Sequence, residues 1–393
     1  MKENIKRLNL NGKEIILLGT AHVSQDSIDE ANALIEEGKP DRVGIELDDG
    51  RYENLKNPEN WRNIDISKVL KEKRGWVLLA NLALGSFQKR MGAGVGVKPG
   101  DELKAAADKA ESLNIPIELI DRPIQTTLRR AWAKNSFWGK CKLLSVLVSA
   151  IFDKEEISSE EVENLKNSSE MDQMMGELAD YLPGVKTVLI DERDQYLASK
   201  IWQSFDHGGN KILAVVGAGH LPGIVRHLNS FAAGESAPST EEISIVPPPG
   251  KLSKILAWAI PVAILSLIVA GFFKGGAQTS AEMLLNWWLV NGVLAAIGAV
   301  LALAHPLTIF ISFMGACVTA INPFIGIGIV AGLVQAWVSK PKVNDMENLM
   351  NDAASLKGFY RNRILKVLLV FFLVSIGGSI GTFAAIPSLI SVF

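Results

Sequence analysis

Residues 14–22 read Glu14-Ile15-Ile16-Leu17-Leu18-Gly19-Thr20-Ala21-His22, and the fold follows from this stretch. A short apolar run that ends in glycine predicts a buried parallel strand turning sharply at its carboxyl end. In open α/β sheets that end is where ligands bind. The pattern recurs later, where Ile212-Leu213-Ala214-Val215-Val216 runs into Gly217-Ala218-Gly219-His220. The chain has 5 histidines, and two of them share this local setting. One metal, or one reacting group, held between the two imidazoles is the first functional expectation.

Working outward, four strands are expected, at 14–18, 42–47, 115–120 and 212–216. Between the first two, Ile28, Ala31, Leu34 and Ile35 have helical spacing. Ser24 or Asp26 can cap that helix and Gly38-Lys39-Pro40 ends it. Residues 101–113 and 187–205 also read as helices. Alternation of this kind predicts an α/β layer fold. Residues 76–100 hold Gly92, Gly94, Gly96, Pro99 and Gly100, which read as a flap. Leu143–Phe152 is too short for a membrane span and reads as core.

Each predicted strand brings a chemically able residue to its end. His22 follows the first, Glu46 interrupts the apolar run of the second, Asp121 follows the third and His220 follows the fourth. A carboxylate at the end of a buried strand is costly unless paired or ligated. Two histidines and one carboxylate form a minimal hydrolytic metal set with positions left for water and substrate. Mn, Co, Zn and Fe all accept such donors, so the ligand types do not name the ion. The alternative for Glu46 is an arginine partner, with Arg51, Arg122, Arg129, Arg130 and Arg193 as candidates. Glu192-Arg193-Asp194 reads either as a solvated cluster or as a source of a general base at Glu192. Arg129 can hold a carboxylate or stabilise an oxyanion. Glu102 reads as a first-turn helix acid, His207 as a turn residue and His227 as a helix residue away from any ligand set.

Composition narrows the class. A net charge of −2 gives no general attraction to nucleic acid. Two cysteines, Cys141 and Cys317, make neither a disulfide framework nor a Cys-rich metal site. The stretch 231–251 is rich in Ala, Gly, Ser, Glu and Pro, ends near Pro247-Pro248-Pro249-Gly250, and reads as a linker. Beyond it, Ile255–Phe273 and Leu284–Ala304 each reach spanning length. Residues 306–338 read as two short segments bent near Asn322-Pro323, and 364–393 as a single crossing or a hairpin. His305 is placed at headgroup level. Lys340, Lys342, Lys357, Arg361, Arg363 and Lys366 predict a cytoplasmic loop. The N-terminus lacks the apolar core of a signal peptide, so the expectation is a cytoplasmic N-terminal domain, 1–230, on a multi-pass helical domain, 252–393, of about 4–6 segments in the cell membrane.

These residues resemble the TraB family of pheromone-shutdown proteins. The motifs are Gly19-Thr20-Ala21-His22-Val23-Ser24; Gly44-Ile45-Glu46-Leu47-Asp48 with Arg51; Asp121-Arg122 with Thr127-Leu128-Arg129-Arg130-Ala131-Trp132; Glu192-Arg193-Asp194-Gln195-Tyr196-Leu197; and Val216-Gly217-Ala218-Gly219-His220-Leu221-Pro222-Gly223-Ile224. The later part resembles the microbial branch through His305-Pro306-Leu307-Thr308, Ile321-Asn322-Pro323, Lys340-Pro341-Lys342-Val343 and Gly378-Ser379-Ile380-Gly381-Thr382-Phe383. The resemblance implies an α/β domain akin to the Tiki proteases, and more distantly to erythromycin-esterase-like and ChaN-like folds, followed by an all-α polytopic domain. It implies His22, Glu46 and His220 as the set for a divalent metal. The expected activity is peptidase-like hydrolysis, with Glu46 or Glu192 as base and Arg129 or Arg193 as oxyanion partner. The alternative is a membrane protein that binds or sequesters a signalling peptide without cleaving it. The lipid bilayer is an expected partner, and a homodimer is a further expectation.

Overall fold

The computed structural model describes residues 4–20, 25–56, 100–152, 181–248, 251–321, 325–342, 345, 348–353 and 355–393. They form two compact units, the first ending at Pro248 and the second running on to Phe393.

The first unit is a five-stranded sheet in the order β1-β2-β5-β3-β4. Its strands are β1 (Ile5–Leu10), β2 (Lys13–Thr20), β3 (Arg42–Ile45), β4 (Ile117–Leu119) and β5 (Lys211–Gly217). β2, β5, β3 and β4 run parallel, and β1 pairs antiparallel with β2 at the edge. β2 and β5 are apolar on both faces because helices cover both; Ile15, Ile16, Leu17 and Leu18 are all fully buried. β1 is absent from the sequence expectation, although Asn11-Gly12 joins it to β2. Both turn residues have positive φ, 50° and 78°, the geometry a two-residue hairpin requires and Asn-Gly supplies.

Helices α1 (Gln25–Gly38), α2 (Asp49–Lys56), α3 (Asp101–Ser112), α4 (Ile124–Lys134), α5 (Phe137–Phe152) and α6 (Pro183–Lys186) follow in order. A π-helical turn, Thr187–Asp191, leads into α7 (Glu192–Gln203), and α8 (Leu221–Ala232) follows β5. On one face α1 and α3 pack Ala31, Ile35, Ala106 and Ala107 against Ile16, Leu18, Val43 and Leu213. On the other, α7 and α8 pack Leu197, Ile201, Ile224 and Leu228 against Ile15, Leu17, Ile212 and Ala214. The flap expected at 76–100 lies, but for Gly100, outside the described residues. Part of the expected linker is ordered against this unit: it contains a short helix, α9 (Glu241–Ser244), whose Ile243 is buried.

The second unit is helical. α10 (Lys251–Leu301) breaks at Gly276, whose φ of 76° is left-handed, and the two halves fold back on each other. Ile264 and Ile268 of the first half share a buried cluster with Met283 and Trp287 of the second. α11 (Pro306–Ile321) and α12 (Ile327–Ser339) form a second hairpin. Its arms are antiparallel, since Gln335 Oε1, late in α12, accepts from the His305 N–H at 2.9 Å and the Thr308 hydroxyl at 3.0 Å. α13 (Leu349–Ala353) and α14 (Leu356–Arg361) lie in the basic loop. α15 (Arg363–Ile390) is one helix and not a hairpin. Among the described residues, Trp258–Leu301 and Arg363–Ile390 are long and apolar enough to cross a membrane.

Candidate functional site at the strand ends

The carboxyl ends of the parallel strands gather a charged network. Glu46 follows β3, and its Oε2 accepts from the Gly217 N–H at the end of β5 at 2.6 Å. Its Oε1 accepts from Arg193 Nη2. His220 stands at the entry to α8, where its Nδ1 lies 2.6 Å from Asp194 Oδ1. The other ring nitrogen, Nε2, is 3.0 Å from Arg193 Nη1 and 3.7 Å from Glu46 Oε1.

These contacts fix the tautomer. A guanidinium only donates hydrogen bonds, so His220 Nε2 must accept, and the ring proton sits on Nδ1 and is donated to Asp194. A carboxylate behind a histidine is the arrangement by which proteins hold an imidazole as a ligand. Asp194 reaches it because residue 223 is glycine; a Cβ at Gly223 would collide with the Asp194 carboxylate. Burial raises the Asp194 carboxyl, with the His220 hydrogen bond working against that rise.

Asp121, just past β4, completes the group. Its Oδ2 accepts from Arg193 Nη2 at 2.7 Å and from Arg51, and its Oδ1 from Arg193 Nε at 3.2 Å. Arg51, from α2, is held in turn by Asp48 at 2.8 Å. Burial would raise the Asp121 carboxyl, but Arg193 and Arg51 together hold it below the usual range. Burial alone would lower the Arg193 pKa, but Asp121 and Glu46 hold it above its ordinary value.

Glu192 lies apart from this group. Helix positions advance by about 100° per residue, so Glu192 leaves the helix on a different side from Arg193 and Asp194. Its carboxylate takes Arg130 through two 2.8 Å bonds, Lys134 at 2.6 Å and Arg122 at 2.9 Å. Burial would raise its pKa, yet these hydrogen bonds hold it at about 2. Three cations thus engage both oxygens of this carboxylate. Arg129, the expected oxyanion partner, is half-buried and does not join the network; its neighbour Arg130 holds Glu192 instead. Thus Glu46, Asp121, Arg193 and His220 converge, whereas Glu192 and Arg129 do not. His22 lies outside the described residues.

Asp194, Asp48 and Arg51 escaped assignment as site residues. Asp194 has a readable signal: two residues past Glu192 on one helix, it can serve a different face. Asp48 and Arg51 form an i,i+3 pair at a helix start, a spacing that brings side chains together. Among the described residues, no three His, Cys, Asp or Glu side chains form a ready cation cage. The donor chemistry nevertheless suits a divalent ion: His220 Nε2 and Glu46 Oε1 each have a second atom tied down and face one position, where the Arg193 guanidinium stands in as a cation.

Two family descriptions match the chain. "TraB/PrgY/gumN family" covers residues 4–235, and "TraB family protein, C-terminal domain" covers 252–393. An uncharacterized protein of Methanocaldococcus jannaschii is 33% identical, over 95% of this chain and 94% of that protein. A TraB domain-containing protein of Bos taurus is 30% identical over 70% of this chain and 76% of its own length. Its counterpart in Homo sapiens is 28% identical over 70% and 77% respectively.

Proposed function

Since the chain belongs to the TraB/PrgY/gumN family, we propose that its α/β unit is a metal-dependent hydrolase, peptidase-like in its chemistry, held at a membrane by the helical unit. The observation carrying this reading is the pair Glu46 Oε1 and His220 Nε2, 3.7 Å apart at the parallel strand ends. Glu46 and His220, with His22 from the family resemblance, would hold the ion. A bound divalent ion would supply Lewis-acid polarisation and a water of lowered pKa. The protein's own contribution is positional. Asp194 keeps the His220 lone pair turned inward, the Gly217 N–H fixes one Glu46 oxygen and so aims the other, and Asp121 holds Arg193 beside the site, where a displaced guanidinium can still meet a developing oxyanion.

Anchoring by the helical unit is supported by its surface. Phe273 is 81% exposed, Trp337 70% and Val318 67%. Large apolar side chains so exposed belong in lipid or against a partner, not in water. The α/β unit would then lie on the cytoplasmic side, given the Lys/Arg-rich loop after α12.

The test is turnover of a peptide library by the whole chain, with and without chelator, alongside peptide binding. His220→Ala and Glu46→Gln should each reduce metal-dependent turnover at least a hundredfold, the scale expected when a Lewis acid and its water are lost together. Binding that survives in both variants, with no metal-dependent turnover in the natural chain, would favour peptide sequestration.

A further inference from the structure

Two dipeptides join the candidate site to the segment that leads toward the helical unit. Asp121-Arg122 follows β4, and Glu192-Arg193 opens α7. They pair crosswise: Asp121 with Arg193 at 2.7 Å, and Arg122 with Glu192 at 2.9 Å. The first rung lies in the strand-end site. The second faces the other way and grips residues 242–245. Arg122 Nη1 donates to the Ile243 carbonyl, while Arg130 Nη1 donates to the Glu242 carbonyl at 2.9 Å and to that of Ile245. Each guanidinium is held by Glu192, so one carboxylate organises the whole grip.

The backbone beside these rungs departs from regular α-helix. The π-helical turn Thr187–Asp191 ends one residue before Glu192, and π-turns inside helices recur at functional sites. The Val188 carbonyl, within that turn, accepts from Arg122 Nη2 at 3.2 Å. A change of register there would move Glu192, Arg193 and one partner of Arg122 together. Events at either rung would bias such a change.

We propose that cation binding at Glu46 and His220 and retention of residues 242–245 are antagonistic states of one device. It rests on the reading of that position as a metal site. Arg193 holds both Glu46 and His220, so a divalent ion arriving there must displace the guanidinium and then repel it. Arg193 is adjacent to Glu192 on the first turn of α7, and its displacement draws the Glu192 carboxylate away from Arg122 and Arg130. The segment before the Pro-rich stretch is then released. Coupling of this kind is reciprocal: a change that loosens the segment must tighten ion binding by the same factor.

The test uses the full-length chain in detergent, with Mn²⁺, Co²⁺ and Zn²⁺ in separate runs. Ion affinity is measured by equilibrium dialysis and amide exchange of residues 241–246 by mass spectrometry. Two variants loosen the grip independently: Arg130→Gln in the clamp and Ile243→Asp in the segment, the latter leaving every clamp side chain in place. A coupling of about tenfold, within the usual allosteric range, predicts that a bound ion speeds exchange about tenfold and that both variants bind the ion about tenfold more tightly. If an ion binds while exchange and both variant affinities stay as they were, the coupling is overturned and the ion site stands. Slower exchange on binding, or weaker binding by the variants, also overturns it. Failure of all three ions to bind overturns the ion site and the coupling together.

Discussion

Glu192 shows how much one buried carboxylate can organise. It balances three cations, two of them on arginines that are themselves buried. Its pKa of about 2 lies below the ordinary 4.5, a difference worth roughly 3 kcal/mol. The folded-state value is depressed, so that stability is fully present above pH 4.5 and is lost as pH falls through 2. Glu192→Gln leaves Arg122 and Arg130 buried without their counter-charge and should destabilise the α/β unit by about 3–5 kcal/mol, as read from urea unfolding at pH 7. Its acid-unfolding profile below pH 4.5 should also be flatter than that of the natural chain. Gly223→Ala is a second residue-scale prediction. The added methyl displaces the Asp194 carboxylate, so the proton on His220 Nδ1 loses its acceptor; the Nδ1 and Nε2 resonances in ¹⁵N spectra should show mixed tautomers. At this scale the sequence was informative for residues lying in the strand-end pattern, His220, Glu46 and Asp121. It was less so for Glu192, because charge and spacing do not say which side of α7 faces the site.

Among the elements, strands were legible where burial on both sides forces an unbroken apolar run, as in β2 and β5. β1 was not, since its half-exposed residues Ile5–Leu10 mix lysine, arginine and asparagine with apolar positions; the Asn11-Gly12 turn was its clearest trace. The α11–α12 hairpin follows from its proline-interrupted sequence, but its depth follows from length. Arms of 16 and 13 residues are about 24 and 20 Å long at 1.5 Å per residue, against a hydrocarbon core of about 30 Å. Neither arm crosses such a layer unaided, so the hairpin should be re-entrant, with both ends on one side. Close helix contact elsewhere in this unit relies on glycine. A Cβ at Gly377 would strike the Leu294 carbonyl, and one at Gly298 the Leu373 carbonyl, so α15 and the second half of α10 touch backbone to backbone. Gly377→Val should lower the thermal midpoint of the helical unit in detergent by several degrees while leaving unfolding of the α/β unit unchanged.

At the scale of the molecule, the helical unit has two distinguishable ends. Lys274 donates to the carbonyls of Val392 and Phe393 at 2.9 Å, which puts the Gly276 break beside the C-terminus. Tyr360 donates to the Leu301 carbonyl at 3.0 Å, which puts the basic loop at the opposite end of α10. In a bilayer these ends should face opposite sides. With exposed Cys141 replaced by serine, a cysteine at Asn351 should react with an impermeant maleimide only from the cytoplasmic side, and one at Gln278 only from outside. Reaction of both from one side would remove the spanning arrangement. Composition alone marked this unit as a separate apolar region, whereas its internal pairing depended on contacts between distant residues that no local pattern encodes.

Co²⁺ titration of the full-length chain, followed by visible absorption, reads whether Glu46 and His220 hold one divalent ion, as we propose. One equivalent should bind with the spectrum of a nitrogen- and oxygen-ligated ion, and His220→Ala and Glu46→Ala should each abolish the signal while circular dichroism stays unchanged. A natural chain that binds no Co²⁺, or variants that bind it as well as the natural chain does, would contradict the account.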